Sequence, residues 1–100
     1  MKPYIELKGA SGAVYRYKLA EDADPRTTIA GNFVYLDAAG TVLFAGEANN
    51  LVSANGRWSE AVSRHGAAYL YTRLNVSGLS RADEYADIVI ALDPVMNRGA

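Results

Sequence analysis

The chain contains arginines, asparagines and tyrosines whose side chains could bind a nucleic acid. Arginine and asparagine donate hydrogen bonds to phosphate oxygens, and a tyrosine such as Tyr35 or Tyr71 can stack on a nucleic-acid base. The candidate phosphate contacts are Asn49, Asn50, Arg57, Arg64 and Arg73. The same pattern also fits arginines that are dispersed over an ordinary protein surface.

Charge bears on the choice between these two interpretations. The 100 residues include 10 Lys and Arg against 11 Asp and Glu, for a formal net charge of −1. A domain that binds nucleic acid through the phosphate backbone normally carries a clear basic excess. The balance therefore favours dispersed arginines, although it allows a local basic patch.

Two residue types limit the chemistry further. The chain has no cysteine, which excludes disulfides, thiolate metal sites and thiol nucleophiles. It has a single histidine, His65, so a histidine-based metal cluster is not expected. His65 ends a predicted helix, where the helix dipole favours a cation, and a capping or partly packed histidine is favoured over a catalytic one.

The centre of the chain predicts a β-hairpin. Residues 33–36 and 42–45 are rich in β-branched and aromatic types, and neither run alternates with polar residues, as expected for strands buried on both faces. Between them, Asp37 and Gly40 supply turn chemistry. The small residues that follow predict the end of the strand and a close backbone approach, then a helix over 48–54.

The segments before and after this hairpin are predicted to form further strands and a helix. Residues 4–7 and 14–19 alternate as an amino-terminal hairpin at a sheet edge. A helix over 57–65, ended by Gly66, places Trp58, Ala61, Val62 and His65 on one face. A strand over 68–76 follows.

The last helix is predicted to begin at Ser80, with Asp83 as its capping-box partner, and to end before Pro94. Asp83 and Asp87 are interpreted as solvated surface charges. The inward-facing stripe is predicted to be Tyr85, Ile88, Val89 and Leu92.

This order of elements predicts an α/β (α+β) fold, in which a mixed or antiparallel sheet is flanked by helices and extended by an amino-terminal β-hairpin. One hundred residues suit a single domain spanning 1–100. Within it, residues 1–28 form the hairpin and its connection, and 29–97 form the core.

The stretch from 32 to 97 resembles the GIY-YIG nuclease domain. Residues 33–35 (FVY) stand for the first signature and 44–46 (FAG) for the second, and 47–51 (EANNL) is similar to the lysine-alanine-x-asparagine-leucine segment common after it. The closing half follows in the family's order, with matches at 65–67 (HGA), 73–75 (RLN), 87–89 (DIV) and 94–97 (PVMN).

This resemblance implies metal-assisted hydrolysis of a phosphodiester. In that family a tyrosine positions or deprotonates the attacking water, an arginine steadies charge on the phosphate, and a glutamate holds a divalent ion. Tyr35 matches the first tyrosine, Arg57 is the nearest arginine, and Glu84 is the nearest candidate for the metal ligand.

The chain departs from this pattern at four positions. Phe44 replaces the second tyrosine, Ala54 stands near the usual arginine, and Tyr85 aligns with the metal-binding glutamate. Glu84 is one residue off, which turns a helical side chain by about 100°. Glu47 places a negative charge beside the expected phosphate path.

The departures favour a degenerate GIY-YIG-like domain that lacks nuclease activity, needs no cofactor and acts as a nucleic-acid-binding or protein-interaction module. Its nucleic-acid contacts would be Asn49, Asn50, Arg64 and Arg73, and a protein partner could use the amino-terminal strand edge. The alternative is an active endonuclease, dependent on Mg²⁺ or Mn²⁺, that hydrolyses DNA with a rearranged site. That alternative predicts that Tyr35, Arg57 and Glu84 converge in one pocket.

No apolar run approaches membrane-spanning length, and the amino terminus lacks a signal-peptide pattern. A cytoplasmic location without a membrane partner is therefore expected.

Overall fold

The computed structural model describes residues 2–98. Its strands and α-helices are, in chain order, β1 (Tyr4–Lys8), β2 (Val14–Ala20), β3 (Gly31–Asp37), β4 (Val42–Ala48), α1 (Trp58–His65), β5 (Ala67–Leu74) and α2 (Gly78–Leu92). The strands form one sheet in the order β1-β2-β5-β3-β4, with antiparallel pairings. The predicted α/β class, with a helix-flanked sheet and an added hairpin, is confirmed.

Strand β3 lies between β4 and β5 and is buried along residues 31–36. Successive side chains of a strand point to opposite faces of the sheet. Phe33 and Tyr35 pack with residues of α1 and of the 3-10 helix Leu51–Asn55. Val34 packs with Ile88 of α2 on the other face. The two faces of β3 are therefore covered by different helical segments.

The predicted turn between β3 and β4 is confirmed. Asp37 Oδ1 accepts hydrogen bonds from the backbone N–H groups of Ala39 at 3.0 Å and Thr41 at 2.9 Å. Gly40 has a φ of 91°, a conformation that glycine adopts without steric cost. The side chain of Asp37 thus closes the hairpin.

The prediction for the end of β4 was wrong. The strand continues to Ala48, and the helical segment after it is only the 3-10 helix Leu51–Asn55, which Asn50 caps by accepting from Val52 N. A Cβ at Gly46 would overlap the Phe33 ring from the paired strand. The small residue at Gly46 therefore makes room for this ring within the sheet.

The predicted start of α2 was also wrong. Ser77 is the N-cap, because its side-chain oxygen accepts from Ser80 N at 3.3 Å, and the helix begins at Gly78. Ile88 is buried as predicted, but Leu92 at the end of the predicted stripe is exposed. The buried face instead continues toward the helix start through Glu84 and Arg81.

Helix α1 ends where it was predicted to end. Gly66 follows it with a φ of 71°, and its N–H bonds the carbonyl of Val62. Ala61 is fully buried, whereas Val62, predicted to face inward, is exposed.

Asp87 was interpreted as a solvated charge, and the structure contradicts this. Its Oδ1 accepts from Ser11 N at 2.8 Å, and its Oδ2 accepts from Ser11 Oγ at 2.6 Å and from the Tyr15 hydroxyl at 2.7 Å. These hydrogen bonds hold the pKa of Asp87 below its usual value. Asp87 therefore fastens the turn between β1 and β2 to α2.

In residues 2–98, no helix has both the length and the apolar character needed to cross a membrane.

We expect Asp87→Asn to loosen the attachment of the amino-terminal hairpin. Because the pKa of Asp87 is depressed in the folded state, its stabilising effect is fully present above the unfolded-state pKa of about 3.9. The effect is lost as the pH falls through the folded-state pKa. Urea unfolding should therefore show a lower free energy of unfolding for the variant at pH 7, with a difference that shrinks in acid. Asp83→Asn on the same helix is the control, and a pH-independent deficit for Asp87→Asn would contradict this account.

Gly46→Ala should destabilise the fold by about 1–3 kcal/mol, because the added methyl group overpacks against Phe33. Gly56→Ala is the control, since its nearest neighbour would be Ser53 O at 3.4 Å. Thermal and urea unfolding measure both. Adding Phe33→Leu to the Gly46→Ala background should cost less stability than Phe33→Leu alone. Equal costs would show that the overlap is relieved elsewhere.

Candidate functional site

Tyr35, the predicted water-positioning residue, is completely buried. Its hydroxyl donates a hydrogen bond to the Ala54 carbonyl at 2.6 Å and accepts one from Arg57 N at 3.2 Å. Its ring lies 5.2 Å from that of Phe44 and meets Trp58 edge-on at 5.1 Å. Burial raises the pKa of Tyr35 above its usual value. The hydroxyl joins β3 to the segment before α1 and is directed at backbone groups of the protein itself.

Arg57 lies beside Tyr35, but its guanidinium group is already paired. Nε donates to Glu60 Oε1 at 3.1 Å and Nη2 to Glu60 Oε2 at 2.9 Å, while Nη1 donates to the Met96 carbonyl at 3.4 Å. The guanidinium carbon also lies 4.9 Å from the centre of the Phe44 ring. Arg57 therefore covers one edge of an aromatic cluster, and Glu60 opposes its charge. The aromatic cluster consists of Phe33, Tyr35, Phe44 and Trp58.

Phe44 is paired directly with Tyr35 across β3 and β4. Its ring contacts Tyr35 and Phe33 at centroid distances of 5.2 and 5.9 Å. A phenyl ring can neither donate nor accept a proton, so this position contributes packing to the predicted site and no acid–base chemistry.

Glu84, the predicted metal ligand, is only 2% exposed and lies on the α2 face of the sheet. Its Oε2 accepts from the Tyr17 hydroxyl at 2.6 Å, and its Oε1 accepts from Arg73 Nε at 3.0 Å and Asn75 Nδ2 at 3.3 Å. Burial and the bond to Glu84 raise the pKa of Tyr17 well above its usual value. The carboxylate therefore joins α2 to β2 and β5.

Tyr85, one residue further along α2, points elsewhere. Its hydroxyl lies 3.4 Å from Asn97 Nδ2. The Asn97 amide also accepts from Ala45 N and donates to Ala45 O, each at 2.9 Å, and so covers part of the edge of β4. Adjacent helical residues point about 100° apart, which is why Tyr85 reaches Asn97, beside β4, whereas Glu84 reaches β2 and β5.

The structure brings Tyr35 and Arg57 together on one face of the sheet and places Glu84 on the other. To bind a divalent cation, the Glu84 carboxylate would have to give up Tyr17, Arg73 and Asn75. Within the described chain, no three or more His, Asp or Glu side chains come together as a metal-binding group. The residues therefore do not fit the Mg²⁺ or Mn²⁺ of the endonuclease alternative, and no hydrolytic step follows from this geometry.

The candidate nucleic-acid contacts are not gathered on one surface. Arg73 is paired with Glu84, Asn49 Oδ1 accepts from Arg81, and Asn50 caps a 3-10 helix. Arg64 is exposed in the last turn of α1, which leads into β5 at the opposite end of the sheet from Asn49.

Arg81 is an important polar residue that the sequence interpretation missed. It is 7% exposed, and its Nη1 donates to the carbonyls of Asn75 at 3.1 Å and Val76 at 3.0 Å, while Nη2 donates to Asn49 Oδ1 at 2.9 Å. Its Nε lies 3.5 Å from Glu47 Oε1. The spacing of Arg81, Glu84 and Ile88 is that of one helix face and was the available signal.

Comparison with models of known protein families found no match, and neither the curated proteins nor the solved structures gave a significant match. The likeness to the GIY-YIG family therefore stays a prediction.

Tyr35→Phe should lower the free energy of unfolding by about 1–3 kcal/mol, because it leaves the buried Ala54 carbonyl and Arg57 N–H without their partner. The exposed Tyr4→Phe is the matched control and should change stability by less than about 0.5 kcal/mol. Urea unfolding measures both. A Tyr35→Phe variant as stable as the unmodified chain would contradict the structural role assigned to this hydroxyl.

Proposed function

We propose that this chain is a degenerate GIY-YIG-like domain that lacks nuclease activity and acts by binding another protein. One observation supports the lack of nuclease activity: the sheet separates Tyr35 from Glu84, and each group is held by internal partners. General acid–base catalysis requires a positioned group within reach of the proton that it transfers. Neither Tyr35 nor Glu84 meets that requirement for a shared substrate.

The contacts that the arginine side chains make within the chain favour a protein partner over a nucleic acid. Ion pairs with carboxylates oppose the charges of Arg26, Arg57, Arg73, Arg81 and Arg98. Arg16 lies over the Tyr4 ring at 4.1 Å, and Glu6 is opposite it in the register of β1 and β2. Phosphate binding depends on arginines and lysines that can neutralise phosphates. Most arginines of this chain already face acidic groups or an aromatic ring.

We expect no cleavage when the purified protein is incubated with plasmid, single-stranded or branched DNA in the presence of Mg²⁺ or Mn²⁺. Tyr35→Phe and Glu84→Gln serve as matched variants, and Tyr4→Phe serves as a control outside the predicted site. Metal-dependent cleavage that Tyr4→Phe retains and either site variant loses would support the endonuclease alternative and defeat the proposal.

The same preparations test the choice of partner. Fluorescence anisotropy with a labelled DNA oligonucleotide should show no binding whose affinity falls steeply with salt. Salt-dependent binding that Arg64→Gln or Arg73→Gln weakens would replace the protein-binding proposal with a nucleic-acid-binding one.

A further inference from the structure

Three chain segments meet at one end of the sheet: residues 27–30, 48–56 and 74–80. Gly31 at the start of β3 is paired with Ala48 and with Leu74, the last residues of β4 and β5. Backbone hydrogen bonds from Leu51 N to Ile29 O at 3.0 Å and from Asn75 N to Ala30 O at 2.9 Å join the segments beyond the sheet. We call this surface the apolar end.

Large apolar side chains are exposed in all three segments of the apolar end. Leu79 and Val76 are 82% and 76% exposed, so most of each side chain contacts solvent. The exposed set in the apolar end is Ile29, Val52, Leu74, Val76 and Leu79. Single exposed apolar residues are ordinary, whereas several at one end of a fold make that end a candidate interaction surface.

The apolar end also lacks charge. None of its residues is Lys, Arg, Asp or Glu, although such residues make up 21% of the chain. Exposed loops and helix starts normally carry charged residues, and depletion of charge distinguishes the centre of a protein interface from the remaining surface. The exposed polar groups between the apolar side chains are neutral, such as Asn49, Ser53 and Ser77.

The buried side chain of Arg81 holds two segments of the apolar end together. Its guanidinium group bonds the carbonyls of Asn75 and Val76 and the side chain of Asn49, and so joins two of the three segments. Its own backbone carbonyl accepts from Asn32 Nδ2 at 3.0 Å. A surface that is already ordered loses less conformational entropy when a partner binds.

The geometry points to the apolar end as the interface at which a second copy of this chain binds, in a two-fold symmetric dimer. This inference rests on the proposed protein-binding function and names its partner. In such a dimer the same patch faces itself, so any charge near the axis would meet its own like charge. A patch without charges avoids this repulsion. Glu47 and Arg81, at its border, oppose each other within one chain.

The size of the apolar end suits this partner. A standard interface uses about 20–30 residues on each side. The three segments contain 20 residues, of which Leu51 and Ala54 are fully buried, so they suit an interface at the small end of this range. Apolar side chains that cover one another on association are removed from water, which favours binding.

Sedimentation velocity over a concentration series tests the inference with a matched pair of variants. Leu79→Asp puts a charge in the first turn of α2, where the helix dipole favours an anion, so the fold should tolerate it. Ile90→Lys is the control: it is 72% exposed on the same helix, outside the apolar end, in the last turn, where a cation is favoured. Circular dichroism and thermal unfolding check that both variants are folded.

We expect a dimer for the unmodified chain, a dimer of similar affinity for Ile90→Lys, and at least a roughly 100-fold higher dissociation constant for Leu79→Asp, because like charges opposed at an interface cost several kcal/mol. An unmodified chain that stays monomeric, or equal weakening by the two variants, overturns the inference. A monomer that cosediments with phosphatidylcholine vesicles also overturns it, in favour of a lipid surface. The DNA-cleavage assay is independent of this result, so a monomer without nuclease activity would refute the dimer alone.

Discussion

The constraint on which the structure depends is the central place of β3 in a sheet that is covered on each face by a different helical segment. Tyr35 points toward α1 and the 3-10 helix before it, whereas the neighbouring side chains of β3 point toward α2. Glu84 belongs to the α2 face, where Tyr17, Arg73 and Asn75 bind its buried carboxylate. A buried charge without such partners would be strongly destabilising, so this network fixes how α2 sits on the sheet.

This arrangement explains why Tyr35, Arg57 and Glu84, whose types suit hydrolysis, do not converge in one pocket. Tyr35, Arg57 and Glu84 each act as connections within the fold: the tyrosine between β3 and the segment before α1, the arginine between Glu60 and Met96, and the glutamate between α2 and two strands. The apolar end differs from these groups, because large apolar side chains are exposed there and its three segments contain no charged residue. We therefore assign the proposed function to the apolar end and not to the aromatic cluster.

Much of the fold could be predicted from local patterns. Alternation in β2, the Asp37 and Gly40 turn chemistry and the stop at Gly66 depend on residues close in sequence, and each was confirmed. The errors concern contacts between distant residues. Gly46 was taken for the end of a strand, because the Phe33 ring that requires a small residue there belongs to the paired strand. Asp87 was taken for a solvated charge, because its partners Ser11 and Tyr15 are more than 70 residues away. The inward direction of Glu84 was missed for the same reason, since carboxylates are rarely buried unless paired and its partners lie on other elements.

Paramagnetic broadening by Mn²⁺ in the ¹H–¹⁵N NMR spectrum tests the separation of Tyr35 and Glu84 most directly. The account predicts that a stoichiometric amount of Mn²⁺ produces no broadening centred on the backbone amides of Tyr35 and Glu84. Selective broadening centred on Tyr35 and Glu84 together would show one metal site shared by the two groups, and would contradict the central claim.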